Sequence, residues 1–176
     1  VNYVMIISTS AGLWRYNIGD TIKFTNKYPF RVIVSGRIKH FISAFGEHVI
    51  VSEVEESLRD AIEKTKDIIR VKEFTVAPQI TPDVGLPYHE WFIEFETPPK
   101  EKETFASNID FAMKSKNIYY NDLVEGKILR PLVITVIQKN GFQKYMKSIG
   151  KLGGQNKVPR VSDDRLIADS LKKFTI

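Results

Sequence analysis

"SGRIKHFISAFGEHVIVSEVEE", residues 35–56, is the stretch on which the reading of this chain turns. It leaves a strand through Ser35-Gly36-Arg37, passes a second glycine at Gly46, and runs through the short apolar strand "HVIV". A helix follows, with Ser52 as its expected cap and Glu55, three residues on, reaching back in a capping box. Val54, Leu58 and Ile62 then recur at i, i+4 and i+8, an apolar stripe reaching about Thr65.

Upstream, "YVMIIS", "TIKFTN" and "RVIVSG" read as three strands, with turns at Gly12, at Gly19-Asp20 and at Tyr28-Pro29. Downstream, "VKEFTVAP" and "HEWFIEFE" alternate around a Pro/Gly-rich loop, which predicts a wide hairpin. Trp91, Ile93 and Phe95 fall on one face of its second strand, with Glu94 and Glu96 on the other. Phe105, Asn108, Ile109, Ala112 and Met113 keep helical spacing, and "PLVITVIQ" reads as a central strand buried on both faces. "GFQKYMKSIG" predicts a short helix with a basic outer face. A last helix opens at Ser162-Asp163-Asp164 and closes near Lys172-Lys173, acid first and base last, as its dipole favours. The order is that of an α+β or α/β domain with a strand-rich appendage in front.

The 176 residues, 43% of them hydrophobic, suffice for one well-buried core or for one domain and a piece of another. No cysteine is present, which excludes disulfides, thiolate metal sites and cysteine nucleophiles. No apolar run approaches the roughly 20 residues that span a bilayer, so a membrane role is not expected and the cytoplasm is the default setting. The chain opens at Val1 directly on a strand-like run, which reads as a cut inside a larger protein. Net charge is +5, but the excess is local. Residues 126–162 hold Lys127, Arg130, Lys139, Lys144, Lys147, Lys151, Lys157 and Arg160 without one acidic residue, and such a segment attracts polyanions.

The glycine-rich loop "GKLGGQNKVPR", residues 150–160, lies inside that segment. It is not a P-loop, because Lys157 is followed by Val158 rather than by Ser or Thr and the glycine spacing differs. Taken singly, Gly19-Asp20 is an ordinary turn, Arg37 and Lys39 are solvated, and Lys157 is a surface lysine. Their order along the chain is more informative. Gly19-Asp20, then Gly36-Arg37-Ile38-Lys39 with Gly46 and Glu53-Val54-Glu55, then Lys157-Val158-Pro159-Arg160 resemble three motifs in the C-terminal part of the adenylate-forming superfamily that includes firefly luciferase. Within it, "AGLWRYNIGDTIKFT", "PFRVIVSGRIKHFISAFGEHVIVSEVE" and "GKLGGQNKVPR" together resemble bacterial relatives of the auxin-responsive Gretchen Hagen acyl acid–amido synthetases. Ile18, where the wider superfamily has Thr, and Asn156, where it has Gly, favour that branch.

The resemblance implies an α+β chain in which residues 1–36 end a large N-terminal adenylation domain. Residues 37–40 form a hinge, and residues 41–176 a mobile C-terminal domain with a mixed sheet flanked by helices. It implies that a carboxylic acid attacks the α-phosphate of ATP to form an acyl adenylate and release pyrophosphate, with Mg2+ carried by the nucleotide and no metal site on the chain. An amine, typically that of an amino acid, then displaces AMP. Asp20 would hold the ribose hydroxyls, with Arg37 and Tyr16 also at the nucleotide; Lys157 would be the catalytic cation; Lys39 would be the hinge. After a rotation, Phe45-Gly46-Glu47-His48 would face the acceptor, with Gly46 and His48 as its acceptor side and His48 a candidate base. The isolated chain would then have little activity. The rival reading is a nucleic-acid-binding or non-catalytic interaction domain, with Phe142 and Tyr145 among the lysines of residues 126–162. Against it, those basic residues are spread over strand, helix and loop.

Overall fold

The computed structural model of the chain describes residues 2–37, 41–151, 153 and 157–176, the side chain of Arg37 apart. Three β-strands open it: β1 (Tyr3–Ile7), β2 (Tyr16–Lys27) and β3 (Phe30–Arg37), an antiparallel meander in the order β1-β2-β3. Gly19-Asp20 is not a turn, as the sequence suggests, but lies inside β2. A glycine at φ 82° lets the strand kink there without a break, and Gly19 N–H donates to Asn17 Oδ1 at 2.9 Å.

The two-residue strands β4 (Phe41–Ile42) and β5 (Val49–Ile50) pair antiparallel and deliver the chain to helix α1 (Val51–Lys64). The helix starts before the expected Ser52. Its N-cap is Ile50, and Glu53, not Glu55, reaches back to the Ile50 N–H at 3.0 Å. Two strands then form the hairpin expected from alternation, β6 (Arg70–Gln79) and β7 (Tyr88–Thr97). Helices α2 (Lys102–Lys116) and α3 (Ile118–Glu125) cross over to β8 (Val133–Ile137), which runs parallel to β7. The sheet order β6-β7-β8 therefore makes β7, not "PLVITVIQ", the central strand. Its apolar run reflects a parallel strand fed by a helical crossover. The C-terminal segment covers its outer side through the bridge of Ile137 to Thr175 and the Ile176 N–H donating to the Val136 carbonyl at 3.2 Å.

After β8 come α4 (Gly141–Ser148), α5 (Leu166–Leu171) and a closing 3-10 turn at Lys172–Phe174. Helix α5 begins later than expected. Asp163 is used elsewhere, accepting the Ser43 N–H at 2.8 Å, and Asp164 accepts the Leu166 N–H at 3.0 Å. The fold class is α+β with a mixed sheet flanked by helices.

Helices cover both faces of the β6-β7-β8 sheet, so it has two apolar clusters. Trp91, Ile93, Phe74 and Val76 pack with Val54, Leu58, Phe105, Ile109 and Met113 of α1 and α2. Phe92 and Ala77 pack on the other side with Phe142, Tyr145, Val158, Ala168 and Leu171. Both clusters draw only on residues from Ile42 onward. The meander of residues 3–37 contributes nothing to them and exposes much apolar surface, with Trp14 80% and Tyr28 91% accessible.

Candidate functional site

The loop that carries Lys157 is fixed on its C-terminal side by the sheet. Val161 bridges to Val76 in parallel register; the Val76 N–H donates to the Arg160 carbonyl at 2.9 Å, and the Ser162 N–H to the Val76 carbonyl at 2.9 Å. Thr75 Oγ1 donates to the Pro159 carbonyl at 2.7 Å, and Val158 is buried against Phe142 and Tyr145. Lys157 is exposed where this anchored segment begins, on a cavity of about 570 Å³ that it shares with Lys72, Glu73, Glu94, Phe142 and Lys151. Among the described residues Lys157 makes no ion pair.

That cavity is also lined by a buried acid, Glu94, which alternation places with Glu96 on the face opposite Trp91 and Ile93. Glu94 is 1% exposed because β7 is central and α4 covers its second face. Its carboxylate accepts the N–H groups of Asn140 at 2.7 Å and Phe142 at 3.2 Å, capping α4, and Lys72 Nζ at 2.9 Å balances the charge. Glu90 on the same face pairs with Arg165 at 2.7 Å and accepts from Thr135 at 2.6 Å. Three glutamates of similar sequence context thus have different fates, and only Glu96 points to water.

Asp20 and Arg37 are brought together as cross-strand Cα partners in β2 and β3, beside the partners Thr21 and Gly36. Tyr16 is four residues along β2, about 13 Å at strand rise. It pairs with Ile7 and is exposed, away from the Asp20–Arg37 pair. Lys39 lies outside the described residues.

The turn at Gly46 and His48 is held from beneath. Gly46 has φ 88° and His48 φ 51°, so two left-handed residues flank Glu47. The Glu47 side chain is fully buried: one oxygen accepts the Phe45 N–H at 2.8 Å and the other meets His89 Nε2 at 2.9 Å. Burial pushes this carboxyl up, but the His89 hydrogen bond and charge and the backbone N–H donors outweigh it and hold it below 4.5. Asn117 Nδ2 donates at 3.0 Å both to the Glu47 carbonyl and to Glu53, and Asn117 Oδ1 accepts the Tyr120 N–H at 2.8 Å. Glu53 is held above 4.5, because burial prevails over its hydrogen bonds from Asn117 and Ile50. His48 itself stacks on Phe41 at 4.6 Å and lines a second cavity of about 530 Å³ with Val4, Thr21 and Gly36.

His48 therefore faces the strands that carry Asp20 and Arg37, whereas Lys157 lines a different cavity with no lining residue in common. Sequence reading missed His89, Lys72 and the burial of Glu47 and Glu94, since neither spacing nor residue type marks them. Phe142 and Tyr145 belong to the core and offer no free ring to a nucleic-acid base. Among the described residues no three Asp, Glu or His side chains converge to hold a metal ion, and no helix is long and apolar enough to cross a membrane.

Comparison with known proteins identifies the family of the chain. The family model described as "GH3 family C-terminal domain" matches residues 52–166, and that of the "GH3 family central domain" matches residues 1–37. Two Arabidopsis thaliana indole-3-acetic acid-amido synthetases are similar to the chain. GH3.10 is 25% identical across 99% of this chain and 30% of its own length, and GH3.3 is 28% identical across 90% and 28%. The chain thus spans about 30% of the length of these relatives. Among solved structures, the GH3.15 acyl acid amido synthetase superposes with a TM-score of 0.75 at 18% identity, covering 99% of this chain and 34% of that one. A structure of AtGH3.15 in complex with 2,4-DB superposes with a TM-score of 0.74. With the C-terminal-domain model matching well over half of its residues, the chain belongs to the GH3 family.

Proposed function

We propose that the chain is the C-terminal portion of an ATP-dependent ligase that activates a carboxylic acid as its acyl adenylate and conjugates it to an amine, that of an amino acid. Residues 1–36 close the adenylation domain, residues 37–40 are the hinge, and residues 41–176 are the mobile domain. The two family models, one ending at residue 37 and the other beginning at residue 52, support a division in this region. The exposed apolar meander supports it too, as a surface to be covered by the rest of a large domain. A cytoplasmic setting belongs to the same proposal.

The observation that carries the reading is Lys157: an exposed ammonium without an ion-pair partner among the described residues, placed where a glycine-rich loop meets an anchored strand. Between an attacking carboxylate and the α-phosphate it would offset the repulsion of two anions and the charge that grows in the transition state. Asp20 would accept hydrogen bonds from the ribose hydroxyls and Arg37 would supply donors beside it. Mg2+ would enter with the nucleotide, held by its phosphates. The amine would then attack the acyl carbonyl and AMP would leave. Lys157 and His48 line separate cavities, which favours their use in turn, by two orientations of the mobile domain.

The test is ATP–pyrophosphate exchange by the full-length protein across a panel of carboxylic acids. Acid-dependent exchange is expected, and Lys157→Ala should slow it by about 100-fold or more. Consumption of a pre-made acyl adenylate by the amine should stay near normal. Exchange that needs no acid, or that survives Lys157→Ala, would overturn the reading.

A further inference from the structure

Arg160 has no assigned task beyond completing the last motif, and its surroundings show what it does. Nε donates to Glu55 on α1 at 3.3 Å; a terminal nitrogen pairs with Glu73 on β6 and donates to the Phe74 carbonyl at 3.1 Å. The guanidinium carbon lies over the Phe74 ring, 4.6 Å from its centroid. An arginine offers five N–H donors in one plane. Here those donors and the guanidinium carbon are engaged within the chain, on two different elements.

The same residue lies in the short parallel segment bound to β6. Its carbonyl accepts from Val76, its neighbour Val161 is buried, and Pro159 ahead of it is tied to Thr75. Lys157 is only three residues away, across buried Val158. On its other side the sequence is glycine-rich, and Gly150 is left-handed at φ 68°. Among the described residues, the contacts that fix the backbone at Lys157 come from its C-terminal side.

We propose that Arg160 is the positioning residue for Lys157: with Glu73 and Glu55 it clamps the exit of the lysine loop to β6 and α1, and it touches no substrate. This rests on the reading of Lys157 as the adenylating cation. It also gives Glu55 of the Glu53-Val54-Glu55 motif a role. That carboxylate and Arg160, 105 residues apart in sequence, tie the second motif to the third.

The test uses the full-length protein with Arg160→Lys and Glu73→Gln as separate variants, the second removing the partner's charge without changing its shape. Each should slow acid-dependent pyrophosphate exchange by about 10- to 100-fold, the scale of a catalytic group misplaced by an ångström. The ATP KM should stay within about twofold, and amine-dependent consumption of a pre-made acyl adenylate should be unchanged. In a Lys157→Ala background neither substitution should cost anything more, because the group being positioned is gone.

A raised ATP KM in Arg160→Lys with Glu73→Gln normal would show instead that Arg160 binds nucleotide, and would overturn the assignment. So would an equal fall of both half-reactions with a lowered melting temperature, which marks a residue of the fold alone. Normal exchange in both variants beside a crippled Lys157→Ala overturns the positioning role only. Normal exchange in Lys157→Ala overturns the reading beneath it and this role with it.

Discussion

Glu47 Oε1 and His89 Nε2 lie 2.9 Å apart in a pocket that solvent does not reach, joining the turn before α1 to the central strand β7. The pair holds a turn whose two flanking residues are both left-handed, so it supports an otherwise unfavourable backbone. With its carboxyl held below 4.5 in the fold, Glu47 contributes stability that is present above 4.5 and is lost as pH falls through the lower, folded value. Urea unfolding followed from neutral pH down through this range should therefore show a shallower loss in Glu47→Gln than in the parent. Glu53, held above 4.5, has the opposite sign: its protonated form is favoured in the fold. Glu53→Gln should steepen the acid loss. Identical slopes in all three proteins would show that neither carboxyl is linked to folding.

Glu94 and Lys72 offer a second test, because their exposures differ. The Glu94 carboxylate is buried and caps α4 through two backbone N–H groups, whereas the Lys72 side chain is 39% exposed. Glu94→Gln should cost about 1–3 kcal/mol, the range for disturbing charge-assisted hydrogen bonds. Lys72→Met should cost no more than about 1 kcal/mol, since water screens the cation. Equilibrium denaturation gives both numbers, and a larger loss at Lys72 would mean that the ion pair, rather than the cap, is what matters.

The meander of residues 3–37 can be removed on the same reasoning. Both apolar clusters lie in residues 42–171, and among the meander strands only β3 makes more than slight contact with α1. A chain of residues 41–176 should unfold in one cooperative transition, with a stability within about 1 kcal/mol of the parent. It should also bind less of a hydrophobic dye, because Trp14, Tyr28 and Phe30 go with the meander. A broad, non-cooperative melt would show that the meander belongs to the same folding unit.

What the residues disclosed in advance follows from which forces act locally. Period-2 alternation in "HEWFIEFE" and 3.6-residue spacing from Phe105 to Met113 are local patterns, and β7 and α2 stand where they predict. The burial of Glu94 was not legible, because it depends on α4, some 47 residues later, covering the second face of β7. Helix α3 carries no clear stripe and went unread; its cap is Asn117, whose side chain accepts the Tyr120 N–H. The motif residues Asp20, Arg37, Gly46, His48 and Lys157 were visible as an order of types. Their grouping into a strand pair, a braced turn and a separate lysine cavity was not, since each partner is distant in sequence.

Asp20 gives the sharpest test of the nucleotide reading. It lies within β2 opposite Arg37, so its backbone is held by strand pairing on that side and does not depend on its own side chain for a turn. If its carboxylate accepts the ribose hydroxyls, Asp20→Ala in the full-length protein removes one or two charge-assisted hydrogen bonds at about 1.5–3 kcal/mol each. By calorimetry the ATP dissociation constant should rise by about tenfold or more, each 1.4 kcal/mol being a factor of ten. Asp20→Asn should lose less, because an amide oxygen still accepts. The variant should still fold, because the strand pairing of β2 is kept. Residues 1–176 alone should bind ATP weakly, since the rest of the proposed pocket lies in the larger domain, and micromolar binding by this chain would contradict that division. An unchanged ATP affinity in Asp20→Ala would leave Asp20 an ordinary strand residue. A fall in affinity and stability together would make it a residue of the fold, and the ribose contact would have to be sought elsewhere.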